Sequence, residues 1–578
     1  LFFALAAGPA FRSWAGLATV LNAAAPLGIL AAAVALLMIA GEFDLSVGAT
    51  IGASGMLMAG LIGEAGWDPT VAALAGLALA GAIGAFNGAV VVRTGLPSLI
   101  VTLAVMFAVR GATIGLARGL TGSTQLAASG SSATWEALRA LLASEVAGLR
   151  VSIGWWVAIT AALGWVLARS VLGNWILAAG GAPESARAAG VPVRGVKVTL
   201  FVTTSVAAWL IALIQLLRFG GSDALRGQGQ EFHAIVAAVI GGALLTGGYG
   251  SVLGAAFGAL IYGVARQGMV ITGVDADWFQ AALGALLLGA AWLNHRSRIA
   301  AARSAAHAGE TEAPPAPTQF APAVPPSAAG ATTPVLEARE VSRSYGAVDA
   351  LREASLRLHA GRVTCLVGDN GAGKSTLIRT LTGVEAPDQG AVLLDGRKAR
   401  LRSPAHARRA GIAVVHQHLA LAPLMSVWRN FVLGAEQGGA PLRPLDATAC
   451  RSATRAGAAA LGVSLDPVDR PLAALSGGQR QALAIARALA GSPRVLILDE
   501  PTAALGVTAT DRVLDAIRAV RGAGVAVLLV THDPAQALAV GDDIVVLARG
   551  GVVADESAER YSAARLRSLM RGIDPQDT

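Results

Sequence analysis

The sequence predicts an all-α polytopic membrane region of about nine or ten helices, followed by an α/β region. Three observations carry that expectation. Of 578 residues, 54% are hydrophobic and only 14% are charged, whereas a soluble globular chain carries about 25% charged residues. The charge is uneven: 24 charged residues fall in positions 1–290 and 58 in 291–578. Apolar runs long enough to cross a bilayer recur through the first half, and short β-branched runs alternating with helical ones begin at Val335. A single ordinary soluble domain is excluded, and so is a disordered chain, because there is ample apolar surface to bury.

Spans are expected near 17–40, 46–63, 70–92, 97–117, 152–169, 197–217, 233–246, 251–272 and 277–293. Residues 1–8 are expected to be the remnant of a tenth; they lack the basic flank of a signal peptide. Gly and Ala dominate these runs, and small residues let helices approach closely in lipid. Four spans separate the polar loop 170–196 from the chain after 293, so both lie on one side. Arg187, Arg194 and Lys197 in or beside the loop, and His295, Arg296 and Arg298 after the last span, mark that side as cytoplasmic. Arg118, Arg139 and Arg150 are exceptions to the rule. Glu42 and Asp44 stand at a helix mouth, where fixing the helix end is the expected role. Arg110, deep in a span, needs a partner or water.

Residues 297–334 change character. Seven prolines lie between 314 and 334 without hydrophobic periodicity, the composition of a semi-extended linker. The expected division is therefore a membrane domain at 1–296, a linker at 297–334 and a nucleotide-binding domain at 335–578. The net charge of +8 comes with scattered arginines and only three lysines, so no nucleic-acid partner is expected. Cys365 and Cys450 cannot build a disulfide framework and suit a reducing cytosol. Cys365, in an apolar strand-like run, reads as a buried small hydrophobe.

The chemistry concentrates in the second half. The strand-like run VTCLVG leads into GDNGAGKST at 368–376 and then a helical run, which is a P-loop in the strand–loop–helix setting it requires. Gly368, Asn370, Gly371 and Gly373 let backbone N–H groups turn toward phosphate oxygens, backed by the positive end of the following helix. Lys374 is placed to reach the β- and γ-phosphates, Thr376 lies beside them, and Ser375 is placed to hold Mg²⁺. The loop alone means only a nucleotide. LSGGQ at 475–479 follows about a hundred residues later, and VLILDE at 495–500 ends an apolar strand in two carboxylates. Asp499 is the expected Mg²⁺ ligand through water, and Glu500 the general base that polarises the attacking water. VAVLLVTHD ends a further strand at His532, within reach of the γ-phosphate. Gln417, after GIAVVHQ, is placed to bridge Mg²⁺ and the domain surface. Tyr345 offers a ring for adenine. Singly, a strand-end His or Tyr is mostly structural; four ordered markers on one α/β stretch are not.

These motifs resemble the ATP-binding cassette family over roughly 335–560. The resemblance implies that two cassettes face each other head to tail with ATP between the P-loop of one and the signature of the other, so Ser476, Gly477, Gly478 and Gln479 complete the site of a second copy. With one P-loop and one signature per chain, a homodimer is implied. One position departs from the family pattern: Gly506 stands where most cassettes have an Asp that helps couple the two sites.

AGEFDLSVGATIG at 40–52, the stretch 85–111 and the stretch 231–263 resemble permeases of ribose- and xylose-type importers, over about 28–293. By that resemblance the chain is a bacterial inner-membrane permease fused to its ATP-binding subunit. It would import a small polar solute, foremost a monosaccharide, from a separate periplasmic or lipid-anchored solute-binding protein, using ATP and Mg²⁺. Residues 183–190 would be the coupling helix. Two alternatives stay open: an exporter or lipid flippase, and import of a nucleoside or another non-sugar solute. The short Gly-rich spans and the 176–197 loop argue against export.

Overall fold

The computed structural model describes residues 8–128, 132–275, 277–308, 333–436, 440–503 and 505–571. The chain divides into two compact units. The first comprises Leu1–Pro183, Pro192–Ser304 and Gly438–Leu445; the second comprises Glu184–Val191, Ala305–Gln437 and Asp446–Thr578.

The first unit is helical. Its helices are α1 Trp14–Ile39, α2 Val47–Gly63, α3 Pro69–Thr94, α4 Ser98–Thr121, α5 Ala133–Leu142, α6 Ser152–Arg169 and α7 Val171–Gly181. The short α8 Pro183–Ala188 is followed by α9 Val193–Phe219, α10 Gln230–Ile240, α11 Val252–Ile271 and α12 Trp278–Ala308. Each of the nine expected spans falls on one of these helices; the expected tenth lies outside the described residues but for Gly8. Among the described residues, α1, α3, α4, α6, α9 and α11 are long and apolar enough to cross a membrane. The expected span 233–246 stops at Ile240, because Gly242 takes a left-handed φ of 90° just beyond it. The loop expected at 170–196 instead contains α7. At the other end α12 runs to Ala308, across position 296.

α1 is the centre of this unit. It packs against α6, α9, α10 and α11, and 83% of its most apolar window is buried, against 17% for α4. Its one buried amide, Asn22, is satisfied by a two-residue hairpin: Nδ2 donates to Gly148 O at 2.8 Å, and Oδ1 accepts from Arg150 N at 2.9 Å. The helix pair α10–α11 approaches backbone to backbone. A Cβ on Gly254 would lie 2.0 Å from Gly241 O, and one on Gly258 1.9 Å from Ala237 O, the small-xxx-small packing expected in lipid.

Several ionisable groups among these helices have partners. Asp44 fixes the mouth of α2: its Oδ1 accepts from Ser46 N at 2.9 Å and Ser46 Oγ at 2.6 Å, and its Oδ2 from Thr204 Oγ1 at 2.7 Å. Glu42 pairs with Lys197. Arg110 finds Glu231, at the start of α10, 3.6 Å away. The first amides of α7, which no helical carbonyl can reach, are satisfied from Gly438–Leu445: Val171 N donates to Arg443 O at 3.1 Å and Leu172 N to Pro441 O at 2.7 Å.

The second unit is α/β. Its main sheet has the order β10-β11-β12-β7-β13-β14, from Ile412–Val415, Val495–Asp499, Ala526–Thr531, Val363–Val367, Asp543–Ala548 and Gly551–Ser557. All neighbours are parallel except β13–β14. A smaller antiparallel sheet, in the order β6-β5-β8-β9, is built from β5 Leu336–Tyr345, β6 Val348–Leu358, β8 Gln389–Leu394 and β9 Arg397–Lys398. The central strands are buried on both faces, which is why they read as unbroken apolar runs.

Candidate nucleotide site

Parallel register brings the functional ends together. Asp499 of β11 pairs with Val530 of β12, and Thr531 pairs with Val367 of β7. Val415 of β10 pairs with Leu498. The carboxyl ends of four neighbouring strands therefore deliver Gln417, Asp499–Glu500, His532 and Gly368 to one rim, the edge where parallel α/β sheets bind ligands.

The P-loop runs from Gly368 into α13 Lys374–Leu381. Gly373 has φ 109°, and a Cβ there would lie 2.5 Å from Ala350 O, so only glycine fits the turn. Lys374 is buried; its Nζ donates to Gly368 O at 2.7 Å and Asp369 O at 3.0 Å. Ser375 is exposed and Thr376 half-buried at the helix start, and Asn370 N donates to Asp369 Oδ1 at 2.8 Å.

Glu500 is the hub. Its φ is 47°, a left-handed geometry that costs a non-glycine residue roughly 1–3 kcal/mol. Its amide is anchored to Val530 O at 2.9 Å. Gln417 Nε2 donates to Glu500 Oε2 at 2.9 Å, and His532 Nδ1 lies 3.2 Å from Oε1. Asp499 sits beside it, and burial first, then the Glu500 charge, pushes its carboxyl up to about 6.

Tyr345 lies at the end of β5, with its hydroxyl bonded to Glu385 and the Arg343 guanidinium 5.3 Å from the ring centroid. The β5–β6 hairpin reaches the P-loop at Ala350. The signature stands apart: among the described residues no hydrogen bond joins Ser476–Gln479 to 368–376. Ser476 caps α17 Gly477–Leu489. Gln479 N donates to Ser476 Oγ at 3.3 Å, and Ser476 N donates to Gln479 Oε1 at 3.0 Å. This capping box engages the Gln479 side chain with its own helix end. Ser476 and Gly477 face solvent.

Gly506 caps α18 Val507–Gly522 with φ −75° and ψ 166°, and has no side chain to accept an amide. A Cβ there would meet nothing within 4 Å. Gly506→Asp is therefore expected to fit and to stabilise the helix start by about 0.3–1 kcal/mol through capping and the helix dipole. A thermal melt rising by one or two degrees would bear this out; a fall would contradict it.

Two features escaped the sequence reading. Arg487, on α17, donates to Ala420 O and Leu419 O, both at 2.9 Å. Arg408, on α14 Pro404–Arg409, donates to Ala189 O at 2.6 Å and to Gly434 O. Residues 184–191, most of the expected coupling segment 183–190, thus belong to the second unit, with α8 forming the helix.

Residues 16–291 match the family described as branched-chain amino acid transport system / permease component. Residues 351–503 match the ABC transporter family. The fructose import ATP-binding protein FrcA of Rhizobium meliloti is 38% identical over 248 residues, 42% of this chain and 95% of that protein. The xylose/arabinose import ATP-binding protein XylG of Sulfolobus acidocaldarius is 36% identical over 236 residues, 41% of this chain and 93% of that protein. The ribose import ATP-binding protein RbsA 1 of Streptomyces coelicolor is 44% identical over 243 residues, 42% of this chain and 48% of that protein. The chain spans about half the length of this last kind of relative. A permease-type membrane region and an ATP-binding cassette thus share one polypeptide, and the chain belongs to the ABC transporters.

Proposed function

We propose that the chain is half of an ATP-driven importer for a small polar solute, foremost a monosaccharide, received from a separate solute-binding protein at a bacterial inner membrane. The observation that carries this reading is the convergence of Gln417 and His532 on Glu500 in a chain with six helices among its described residues fit to cross a membrane. In this reading 1–296 form the permease, 297–334 the linker and 335–578 the cassette. Two copies pair, and Ser476, Gly477, Gly478 and Gln479 of one copy close over ATP held by Gly368, Asn370, Gly371, Gly373, Lys374, Ser375 and Thr376 of the other. Tyr345 stacks on adenine. Glu500 takes the proton of the attacking water, Gln417 orients Glu500, and His532 bonds the γ-phosphate.

The donor set suits Mg²⁺, which favours one or two protein oxygens plus substrate phosphates. Ser375 and Asp499 would hold it, with Gln417 beside them, and the cation would neutralise phosphate charge. Asp499 is ordinarily a carboxyl of pKa 3.8, raised to about 6 in the folded chain. Its protonated form is thus favoured on folding, so the cation-free chain loses stability as pH rises from about 4 toward about 6. A cation must displace that proton below about pH 6. Apparent Mg²⁺ affinity in the presence of ATP is expected to weaken by about tenfold per pH unit there and to level off above it; titrations at about pH 5 and about pH 7 check this.

The functional test is ATP hydrolysis by the chain in nanodiscs, with solute-binding proteins loaded with ribose, xylose, fructose or leucine. Stimulation by a sugar-loaded protein is expected. Stimulation by a leucine-loaded protein alone would replace the sugar reading with the one that the description of the permease-family match suggests. Stimulation only by hydrophobic compounds would mean export.

A further inference from the structure

Arg487 lies on the helix that begins with the signature, in its last turn. Its guanidinium forks onto two consecutive carbonyls, Leu419 O and Ala420 O. Both residues are left-handed, Leu419 at φ 55° and Ala420 at φ 47°. Neither is glycine, so each holds that conformation at a cost of roughly 1–3 kcal/mol unless the surroundings enforce it. Their own amides bond locally, Leu419 N to His416 O at 2.8 Å and Ala420 N to His418 O at 2.7 Å. The carbonyls are what Arg487 fixes. Two residues upstream stands Gln417, which reaches Glu500.

The burial of this cation is not explained by charge. Among the described residues Arg487 makes no ion pair, and burial first, then the Arg408 charge, pushes its pKa down to about 10. It lines a cavity of about 70 Å³ with Arg408 and His416. A neutral side chain would avoid that desolvation. What arginine supplies is a planar fork able to grip two carbonyls at once.

We propose that Arg487 is a positioning residue for ATP hydrolysis: it ties the signature helix to the Gln417 loop and so holds Gln417 against Glu500. A displacement of the signature helix by a second copy would then be felt at the base of the same chain's own site. The inference rests on the proposed ATPase reading. If the unmodified chain hydrolyses no ATP, that reading fails; if it does hydrolyse ATP, the following variants judge Arg487 separately.

Arg487→Gln removes the buried charge and keeps one donor; Arg487→Met keeps the length and removes every donor. Both variants avoid burying a charge, but Met leaves both carbonyls without their Arg487 donor, so Gln provides the measurement if Met does not fold. In full-length chain in nanodiscs, kcat is expected to fall about 10- to 100-fold for Met and less for Gln, as for a misplaced catalytic group, with KM for ATP unchanged. In a Gln417→Ala background neither substitution should lower kcat further. Unchanged kcat would overturn the proposal. So would an equal loss in the Gln417→Ala background, or a rise in KM matching the fall in kcat, since a merely structural arginine would produce those.

Discussion

Glu500→Gln is expected to lower ATP turnover by about 10²- to 10⁴-fold, the range a general base contributes, and to leave nucleotide binding intact. The geometry makes the substitution nearly silent for the fold. Glu500 Oε2 accepts from Gln417 Nε2, and Oε1 faces His532 Nδ1 at 3.2 Å. An amide oxygen can keep the first bond and an amide NH₂ can donate to an unprotonated ring nitrogen, so no buried polar atom is orphaned. What disappears is the capacity to take a proton from water. Phosphate release and ATP binding measured on the same sample separate the two. Turnover within a few-fold of the unmodified chain would remove Glu500 from the chemistry and point to another base.

Gly258→Ala is expected to cost about 3 kcal/mol or more and to leave little folded protein, whereas Gly115→Ala should be neutral or stabilising by about 0.5–1 kcal/mol. The same methyl group is added in the middle of a helix in both. At Gly258 it would stand 1.9 Å from Ala237 O, a backbone atom of α10 that moves only if the helices separate. Gly254, one turn away, already brings Gly241 O within 2.0 Å of where a Cβ would be, so the pair has no slack. At Gly115 on α4 nothing lies within 4 Å, and the methyl group only reduces the freedom of the unfolded chain. Heating the detergent-solubilised variants and following the monodisperse fraction compares them directly. Equal melting of the two would mean that α10 and α11 do not pack by close backbone approach.

Local features were the legible ones. β7, β11 and β12 are buried on both faces, so each shows as an apolar run. β11 and β12 run straight into polar ends, which made Asp499, Glu500 and His532 legible, and the glycine-rich loop after β7 made Lys374 legible. The nine apolar runs were legible as helices because lipid demands apolarity, and six of them, among the described residues, are long enough to cross a membrane. What escaped depends on partners distant in sequence. Arg110 lies 3.6 Å from Glu231, and Arg487 bonds the carbonyls of Leu419 and Ala420; backbone carbonyls carry no residue-type signal. α7 lies at the start of the segment expected as a polar loop at 170–196; Ser170 caps it and carbonyls from 441 and 443 satisfy its first amides. The strand pair of β1 Gln125–Ala127 and β4 Gly221–Asp223 is too short to show a period of two.

The central position of α1 has a consequence for how the protein is made. α1 precedes almost every helix that surrounds it. About 230 residues separate Ile39 from the end of α11 at Ile271, and a ribosome adding about 5–20 residues per second needs roughly 10–50 s to produce them. During that interval α1 must sit in the bilayer without its neighbours. Its composition tolerates the wait, being apolar on every side. Asn22 is the exception: its amide has no protein partner until the chain has been extended through Gly148 and Arg150. Among the described spans, the helix most enclosed by protein in the folded chain is the one that must be most at home in lipid while the molecule is being built.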